Sequence, residues 1–506
     1  MSYYWTLTFA VASKWSLVRM LLLGRDGKVG AERITALDVD PKYLTLGTSY
    51  VGFLNAELRG LKGFGTMARE LVQNADDAGG EDTPVATEIR FEITDEALIV
   101  WNDSIFSDCG QQQQSECPWK AERLHRCDFH RFRITAGSDK RGQEGTTGAF
   151  GIGFISVYQV TDRPEIRSNG QHWTVDPSET EDRRIRNAKD TEATSGTLLL
   201  LPWARDPLTP LRLALSLPPV TDSQINELSV ELEQELTESL LFLKHVRKVV
   251  VQRNRDVLLV AERTAPDEEI ILGRNGGISA WRYISADFNA EAAVLRMTHA
   301  NQIEPKRKDD VTIVFPPDDL IGDGKLFVTL PTEQYTGLPL HINADFYPTP
   351  DRKRVLSSND YQGDWNRAAL SAAAAAVAHI VPELPKMLEP RLVWPFLNRI
   401  YESSTGSMPS SGGLMGINFW TQAAVSCRSS PVVYGIDVDW HWPSNVYLLR
   451  SEDDYGDRAA LLLQIGIVVV HPSLRPFYNL LKYVGCLTLP WRMLLRILNR
   501  ADWRRK

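Results

Sequence analysis

Cysteine is scarce in this chain, with five in 506 residues. That is too few to staple a protein of this length, which excludes a disulfide scaffold and points to a reducing, cytoplasmic compartment. A basic excess is missing as well. The 56 lysines and arginines are outnumbered by 64 acidic residues, for a formal net charge of -8. Nucleic-acid binders concentrate positive charge, so no nucleic-acid partner is expected. The local run Lys306-Arg307-Lys308 meets Asp309 and Asp310 at once and reads as a solvated loop. Near the N-terminus, Lys14 and Arg19 interrupt the apolar patches well short of the roughly 20 residues a membrane span needs. The first apolar stretch also has no basic segment ahead of it, so neither membrane nor secretory leader is expected. What remains is an ordinary globular composition, 43% hydrophobic and 24% charged. Its length suits about two to four domains.

Residues 1–45 carry no clear motif and read as an N-terminal extension. Over Thr66–Ala78, apolar residues at Met67, Leu71, Val72, Ala75 and Ala78 give helical spacing. Strands are expected at Glu88–Ile93 and Ala97–Trp101, turned at Thr94–Glu96. Residues 104–147 are polar, irregular and too long for a plain connection, as a lid would be. Gln224–Leu243 reads as an amphipathic helix, followed by a hairpin of Val246–Gln252 and Val257–Ala261 turned by Arg253–Asp256. Further strands are expected at Val311–Phe315 and Leu326–Leu330. Asp364 is the expected cap of a helix through Asn366–His379. Ser403–Gly413 has linker composition, and Leu461–Val470 reads as a buried strand or short helix.

Four ordered segments carry the chemistry. In Arg69–Ala78, Glu70 and Asn74 are four apart and share a helix face, with Asp77 near the next turn. A carboxylate that polarises water beside an amide oxygen that can hold Mg²⁺ suits phosphoanhydride hydrolysis. Leu98–Ser104 ends a strand on Asn102 and Asp103, either of which could accept the exocyclic amine of adenine. Gly145–Phe154 has G-x-x-G-x-G spacing, which lets backbone amides approach phosphate oxygens. It is neither a Walker A loop nor a Rossmann fingerprint. Ser195-Gly196-Thr197 offers a hydroxyl ahead of a strand. Lys140 and Arg141, just before the glycine loop, can neutralise phosphate charge or remain exposed lid charges.

In this order the segments resemble the nucleotide boxes of the GHKL superfamily, most closely its sacsin-like branch, with kinship to the ninety-kilodalton heat-shock chaperones. The residues that carry the likeness are Gly63-Phe64-Gly65 with Ala68–Gly79, Gly148–Tyr158 with Thr161-Asp162-Arg163-Pro164, and Gly337–Phe346. The resemblance implies an α+β fold. A two-layer α/β sandwich of Bergerat type would occupy 46–205, with a lid at 104–150. An α/β middle-like domain at 206–400 and a smaller C-terminal α/β region at 401–506 would follow. The last of these would end naturally or be cut short from a longer chain. It implies Glu70 as general base, Asn74 as Mg²⁺ ligand and Asp77 as pocket lining. Asn102 or Asp103 would contact adenine, with Thr197 completing that end. Gly148, Gly151 and Gly153, followed by Phe154, would form the phosphate-facing hinge. Where the family has Asp-x-Gly, this chain has Asn102-Asp103-Ser104, so the adenine anchor is open by one residue. Arg352 or Arg354 is expected to reach the γ-phosphate from the next domain; otherwise they form a basic turn on a solvated hairpin.

Three of the five cysteines fall in the lid. Cys109, Cys117, Cys127 and His130 make a Cys₃His set suited to structural Zn²⁺, although their spacing is looser than in standard fingers, and unpaired thiols are the plainer alternative. The function implied is a slowly hydrolysing, chaperone-like switch that binds ATP and Mg²⁺, acting on protein clients or partner subunits, with oligomers allowed. The alternative is a nucleotide-bound scaffold or sensor, for instance in cell defence or quality control. No His-bearing dimerisation helix precedes the nucleotide segment, which sets a sensor kinase aside. The acidic balance and the chaperone-like second segment disfavour a topoisomerase or mismatch-repair role.

Overall fold

The computed structural model describes residues 49–489, except 62, 80–82, 124–125, 134–152, 266–268, 306, 318–321, 350–351, 406–413 and 450–456. The extension expected over 1–45 lies outside the described residues. The apolar spacing around Met67 becomes helix α1, Gly65–Asp76, with Met67, Leu71, Val72 and Ala75 all buried.

Strands β1 (Glu88–Ile93) and β2 (Ala97–Asn102) form the expected hairpin. The Thr94 hydroxyl closes its turn, accepting from Ala97 N–H at 3.0 Å. Next come β3 (Glu165–Ser168), β4 (Gln171–Val175), β5 (Ile185–Lys189) and β6 (Thr197–Pro202). After two helices, β7 (Lys248–Arg253) and β8 (Asp256–Thr264) form the second expected hairpin. Asn254 and Arg255 turn it with φ of +47° and +75°, the positive angles that match strand twist in a two-residue loop. The remaining strands of the main sheet are β9 (Glu269–Arg274), β10 (Gly277–Asp287), β11 (Asp310–Phe315), β12 (Lys325–Val328), β13 (Leu330–Tyr335) and β14 (His341–Ala344). All join one mixed sheet of fourteen strands, ordered β13-β12-β14-β11-β10-β9-β8-β7-β1-β2-β6-β3-β4-β5. Within this sheet only β1–β7 and β12–β14 are parallel pairs among the described residues. The single strand expected at Leu326–Leu330 is a reversal, because Thr329 takes φ +66° and sends the chain back as β13.

The α+β class expected from sequence is what the elements form. Helix α2 (Trp119–Arg123) and helix α3 (Asp128–Phe132) interrupt the expected lid. Helix α4 spans Pro210–Leu215 and α5 spans Asp222–Ser239. Thr221 and Gln224 form a capping box that starts α5 two residues before the expected Gln224, and Leu240–Phe242 tighten into a 3₁₀ turn. Helix α5 packs on α1, held by Arg69 Nη1 to Glu235 Oε2 at 2.9 Å. Glu231 of α5 accepts the Phe64 N–H at 2.5 Å. Gly63, with φ +68°, lies so close that a Cβ would sit 2.7 Å from Glu231 Oε1. The Gly-Phe-Gly motif is thus the place where α1 is clasped to α5. Because β7 lies in register beside β1, the sheet does not divide at the boundary expected at 205/206.

Helix α6 runs Tyr361–Ile380, and its cap is Asp360, not the expected Asp364. Asp360 Oδ1 accepts from the Gln362 and Gly363 N–H groups, both at 3.0 Å. Gly363 sits hard against the Ser358 carbonyl, which fixes the helix start there and leaves Asp364 inside the first turn beside Arg367. By length and apolarity α6 could cross a membrane, yet Trp365, Ala369, Leu370, Ala373, Ala374 and Val377 are buried in the core. That core also takes in helix α7 (Pro390–Thr405), helix α8 (Phe419–Arg428) and residues as far as Cys486, so it does not divide at the boundary expected at 400. The run expected as one element at Leu461–Val470 splits. Its first part closes helix α9 (Asp457–Gln464), and Val469 and Val470 make isolated bridges to Tyr447 and Gly435.

Two buried ionisable sites yield stability predictions. Asp162, in the Thr-Asp-Arg-Pro motif, pairs with Arg212 Nε at 2.8 Å, and the Arg212 side chain is only 1% exposed. Arg212 also reaches the Gln159 and Pro218 carbonyls, which fastens α4 to the turn ending at Gln159. Asp162→Ala strands that guanidinium, so chemical denaturation should show a loss of about 3–5 kcal/mol. His341 lies beneath Trp281 and accepts the Lys325 N–H at 3.0 Å. Burial drives its pKa down from 6.5 to about 4. The unfolded imidazole therefore takes up its proton first on acidification. Stability should fall as pH drops from about 6.5 to about 4, by up to about 3 kcal/mol, and level off below. Denaturation across that window should lose this slope in His341→Gln, whose amide oxygen can still accept from Lys325.

Candidate functional site

Helix α1 brings Glu70 against the turn that begins at Gly153. A Cβ on Gly153 would collide with Glu70 Oε2, so the bare glycine is what lets the chain pass this carboxylate. Arg352 reaches the same place from beyond β14. Its Nη1 lies 3.3 Å from Glu70 Oε1 and donates to Gln73 Oε1. Arg354 is not brought there. It is exposed on the outer side of the same turn, where its backbone N–H donates to Thr349 Oγ1 at 3.2 Å. Of the two expected arginines, Arg352 is the one beside Glu70. The left-handed backbone of Arg352, φ +54°, aims the two side chains differently.

Asn74 follows Glu70 by one turn and is half-buried. Asp77 caps the C-terminal end of α1 with its side chain 1% exposed, 4.0 Å from Lys244 Nζ. Its neighbour Asp76 was not singled out by sequence. Its carboxylate accepts from Lys244, His245 and Val246 N–H at 3.0, 2.8 and 2.9 Å, tying α1 to the approach of β7. The available signal was an acidic residue on the apolar side of the helix, four after Val72. Gln73 was also missed. It is 1% exposed, and its Nε2 is a buried donor with no hydrogen-bond partner among the described residues. An orphaned donor beside Glu70 and Asn74 suits a ligand that brings acceptor oxygens.

At the far end, Asn102 closes β2 directly opposite Thr197 of β6. Its Oδ1 accepts the Ser104 N–H at 3.1 Å. Asp103 turns away. Its carboxylate takes Thr87 N–H at 2.7 Å, Thr87 Oγ1 at 2.6 Å and Glu88 N–H at 3.0 Å. Burial opposes its ionisation, but those bonds hold its pKa below the ordinary value. Thr197 is buried and donates to the Ser104 carbonyl at 2.8 Å, with Ser168 Oγ also at 2.8 Å. Gly196, φ +78°, touches the Asn102 carbonyl where a Cβ could not fit. Lys140, Arg141, Gly148 and Gly151 lie outside the described residues.

The described part of the expected lid closes around the Cys/His set. Ligand atoms of Cys109, Cys117, Cys127 and His130 all lie within 4.8 Å of one another. His130 Nδ1 is 3.4 Å from Cys109 Sγ and 3.2 Å from Cys127 Sγ, and Cys127 N–H donates to Cys117 Sγ at 3.5 Å. Burial raises the Cys127 pKa to about 12 and lowers that of His130. For Cys117, burial opposes the thiolate, but the Cys127 N–H and neighbouring groups outweigh it and the pKa falls.

Residues 53–193, the segment holding α1, β1–β5 and the Cys/His set, match the family model of the sacsin domain. Protein NO VEIN of Arabidopsis thaliana is 29% identical over 325 residues, 60% of this chain and 10% of that protein. Sacsin of Homo sapiens is 32% identical over 149 residues, 26% of this chain and 3% of that protein. The chain therefore spans a tenth or less of the length of these relatives. The ATPase region of Saccharomyces cerevisiae topoisomerase II aligns at 11% identity, covering 50% of this chain and 72% of that one. Its TM-score of 0.26 is too low to equate the two folds.

Proposed function

We propose that this chain binds ATP with Mg²⁺ against α1 and works as a slowly hydrolysing, chaperone-like conformational switch. The observation that carries the reading is the meeting of Glu70, the bare Gly153 backbone and Arg352, three groups from distant parts of the chain. In this reading Glu70 is the general base for the attacking water and Asn74 the Mg²⁺ ligand. Asp77 lines the pocket, and Gln73 Nε2 offers a donor to phosphate oxygen. Asn102 is the adenine contact, since Asp103 is committed to β1, and Thr197 completes that end through water. Bound Mg²⁺ supplies charge neutralisation on the phosphate oxygens.

Arg352 gives the switch its logic. While it pairs with Glu70 it neutralises the base; a γ-phosphate competes for the same guanidinium and releases the carboxylate. Exchange of one partner for the other would link nucleotide state to the position of the segment carrying Arg352, and would make turnover slow. The same pair also motivates the scaffold or sensor reading, in which ATP binds without displacing Arg352 from Glu70. Steady-state ATP turnover by the full chain, with limited proteolysis in the presence and absence of ATP, separates the two. Turnover with altered protection supports the switch, whereas binding without turnover supports the scaffold. We also assign Zn²⁺ to the Cys/His set, because thiolate and imidazole donors suit it better than Mg²⁺. A reducing compartment would keep those thiols available.

A further inference from the structure

The Cys/His set does not stand apart from α1. Phe129 and Phe132 flank His130 on α3, and their rings continue into the nucleotide-type site. Phe129 packs on Trp173 of β4 at 4.9 Å between centroids, and Phe132 packs edge-on against Phe154 at 4.7 Å. Phe154 is the residue after Gly153, whose backbone meets Glu70. Cys117, Cys127, Phe129, Ile166 and Trp173 form one small core, with Phe132 and Phe154 packed against it. We propose that one Zn²⁺ held by Cys109, Cys117, Cys127 and His130 is the clasp that builds this core, and that through Phe132 and Phe154 it sets the Gly153–Glu70 contact and hence the affinity for nucleotide. The coupling rests on the ATP reading above; the metal site does not.

The donor geometry fits. A tetrahedral Zn²⁺ with Zn–S of about 2.3 Å and Zn–N of about 2.0 Å separates its ligands by about 3.8 Å for S···S and about 3.5 Å for S···N. Two of the three S···N distances here are 3.4 and 3.2 Å, and no pair of ligand atoms exceeds 4.8 Å. The His130 ring is hydrogen-bonded to the Gln112 backbone, an outer contact of the kind that fixes a ligating imidazole. On binding, the three thiols release their protons to solvent and the neutral imidazole adds a lone pair, leaving a complex of net charge −1. The need for a clasp is physical. Among the described residues of 104–133 the regular elements are a 3₁₀ turn and helices α2 and α3, each of five residues, too short to be stable without a tertiary anchor. Asp128, capped by Ser107 at 2.6 Å, supplies one tie across the segment; the metal supplies four.

The full chain is purified without added metal and its zinc measured by mass spectrometry, with Co²⁺ exchanged in as a spectroscopic probe. The wild type is expected to hold one zinc per chain and to give tetrahedral cobalt–thiolate bands, both absent in Cys127→Ser. ATP·Mg affinity should fall at least about tenfold in Cys127→Ser or after chelation. Phe132→Ala, folded by circular dichroism, should keep its zinc and show the same fall. No zinc together with no tetrahedral Co²⁺ spectrum, or a disulfide among the three cysteines, overturns the metal site. Zinc removal, or Phe132→Ala, at unchanged ATP affinity overturns the coupling. A zinc-loaded wild type that binds no ATP overturns the nucleotide reading and the coupling together, leaving the metal site standing.

Discussion

Glu70→Gln is expected to lower ATP turnover by about 10²–10⁴-fold, the range a positioned general base contributes, while leaving ATP binding intact. The substitution preserves the volume beside Gly153, where an added Cβ would already collide with the native side chain, so the turn should keep its path. It removes one carboxylate charge next to the expected γ-phosphate position and loosens the Glu70–Arg352 pair. Both changes favour an anionic ligand, so affinity should hold or tighten. Single-turnover and equilibrium-binding measurements on the same preparation check this split. Loss of binding and turnover in parallel would make Glu70 a structural residue of the pocket instead of its base.

Arg352→Ala is expected to lower turnover by about 10²–10³-fold, comparable to removing one preorganised group that stabilises charge in the transition state. Arg352 also neutralises Glu70, so its removal frees the base as well as stripping the phosphate contact. The two variants should therefore be non-additive: Arg352→Ala should cost more in the Glu70→Gln background, where no base is left to free, so the double variant is slower than either single one. Arg354→Ala, at the exposed side of the turn, should be close to wild type. Equal losses from both arginines would show that the basic turn acts through its overall charge.

Helix α1, the β1–β2 and β7–β8 hairpins and α5 were legible because each depends on local signals: apolar periodicity, short turns or a capping box. The Cys/His set was legible as ligand chemistry, since few residue groupings of that kind arise in a chain with five cysteines. Other features were not, because they depend on partners remote in sequence. The parallel pairing of β7 with β1 carries the sheet past position 205, and no local pattern encodes it. Thr329 carries no glycine or proline signal for its left-handed turn. The choice of Asp360 over Asp364 as helix cap turned on Gly363 meeting the Ser358 carbonyl. In the site, sequence put Glu70 and Asn74 on one face, yet choosing Arg352 over Arg354 required a backbone angle. Asp76 and Gln73 lacked a legible role because their partners, Lys244–Val246 and Arg352, lie far along the chain.

The most direct test is titration calorimetry of the full chain with ATP, with and without Mg²⁺, on wild type and Asn74→Ala. If α1 holds the triphosphate as argued, the wild type binds one ATP per chain and Mg²⁺ tightens that binding, whereas in Asn74→Ala the two titrations converge. A wild-type chain that takes up no ATP in either condition, or an Asn74→Ala variant with full Mg²⁺ dependence, would contradict it.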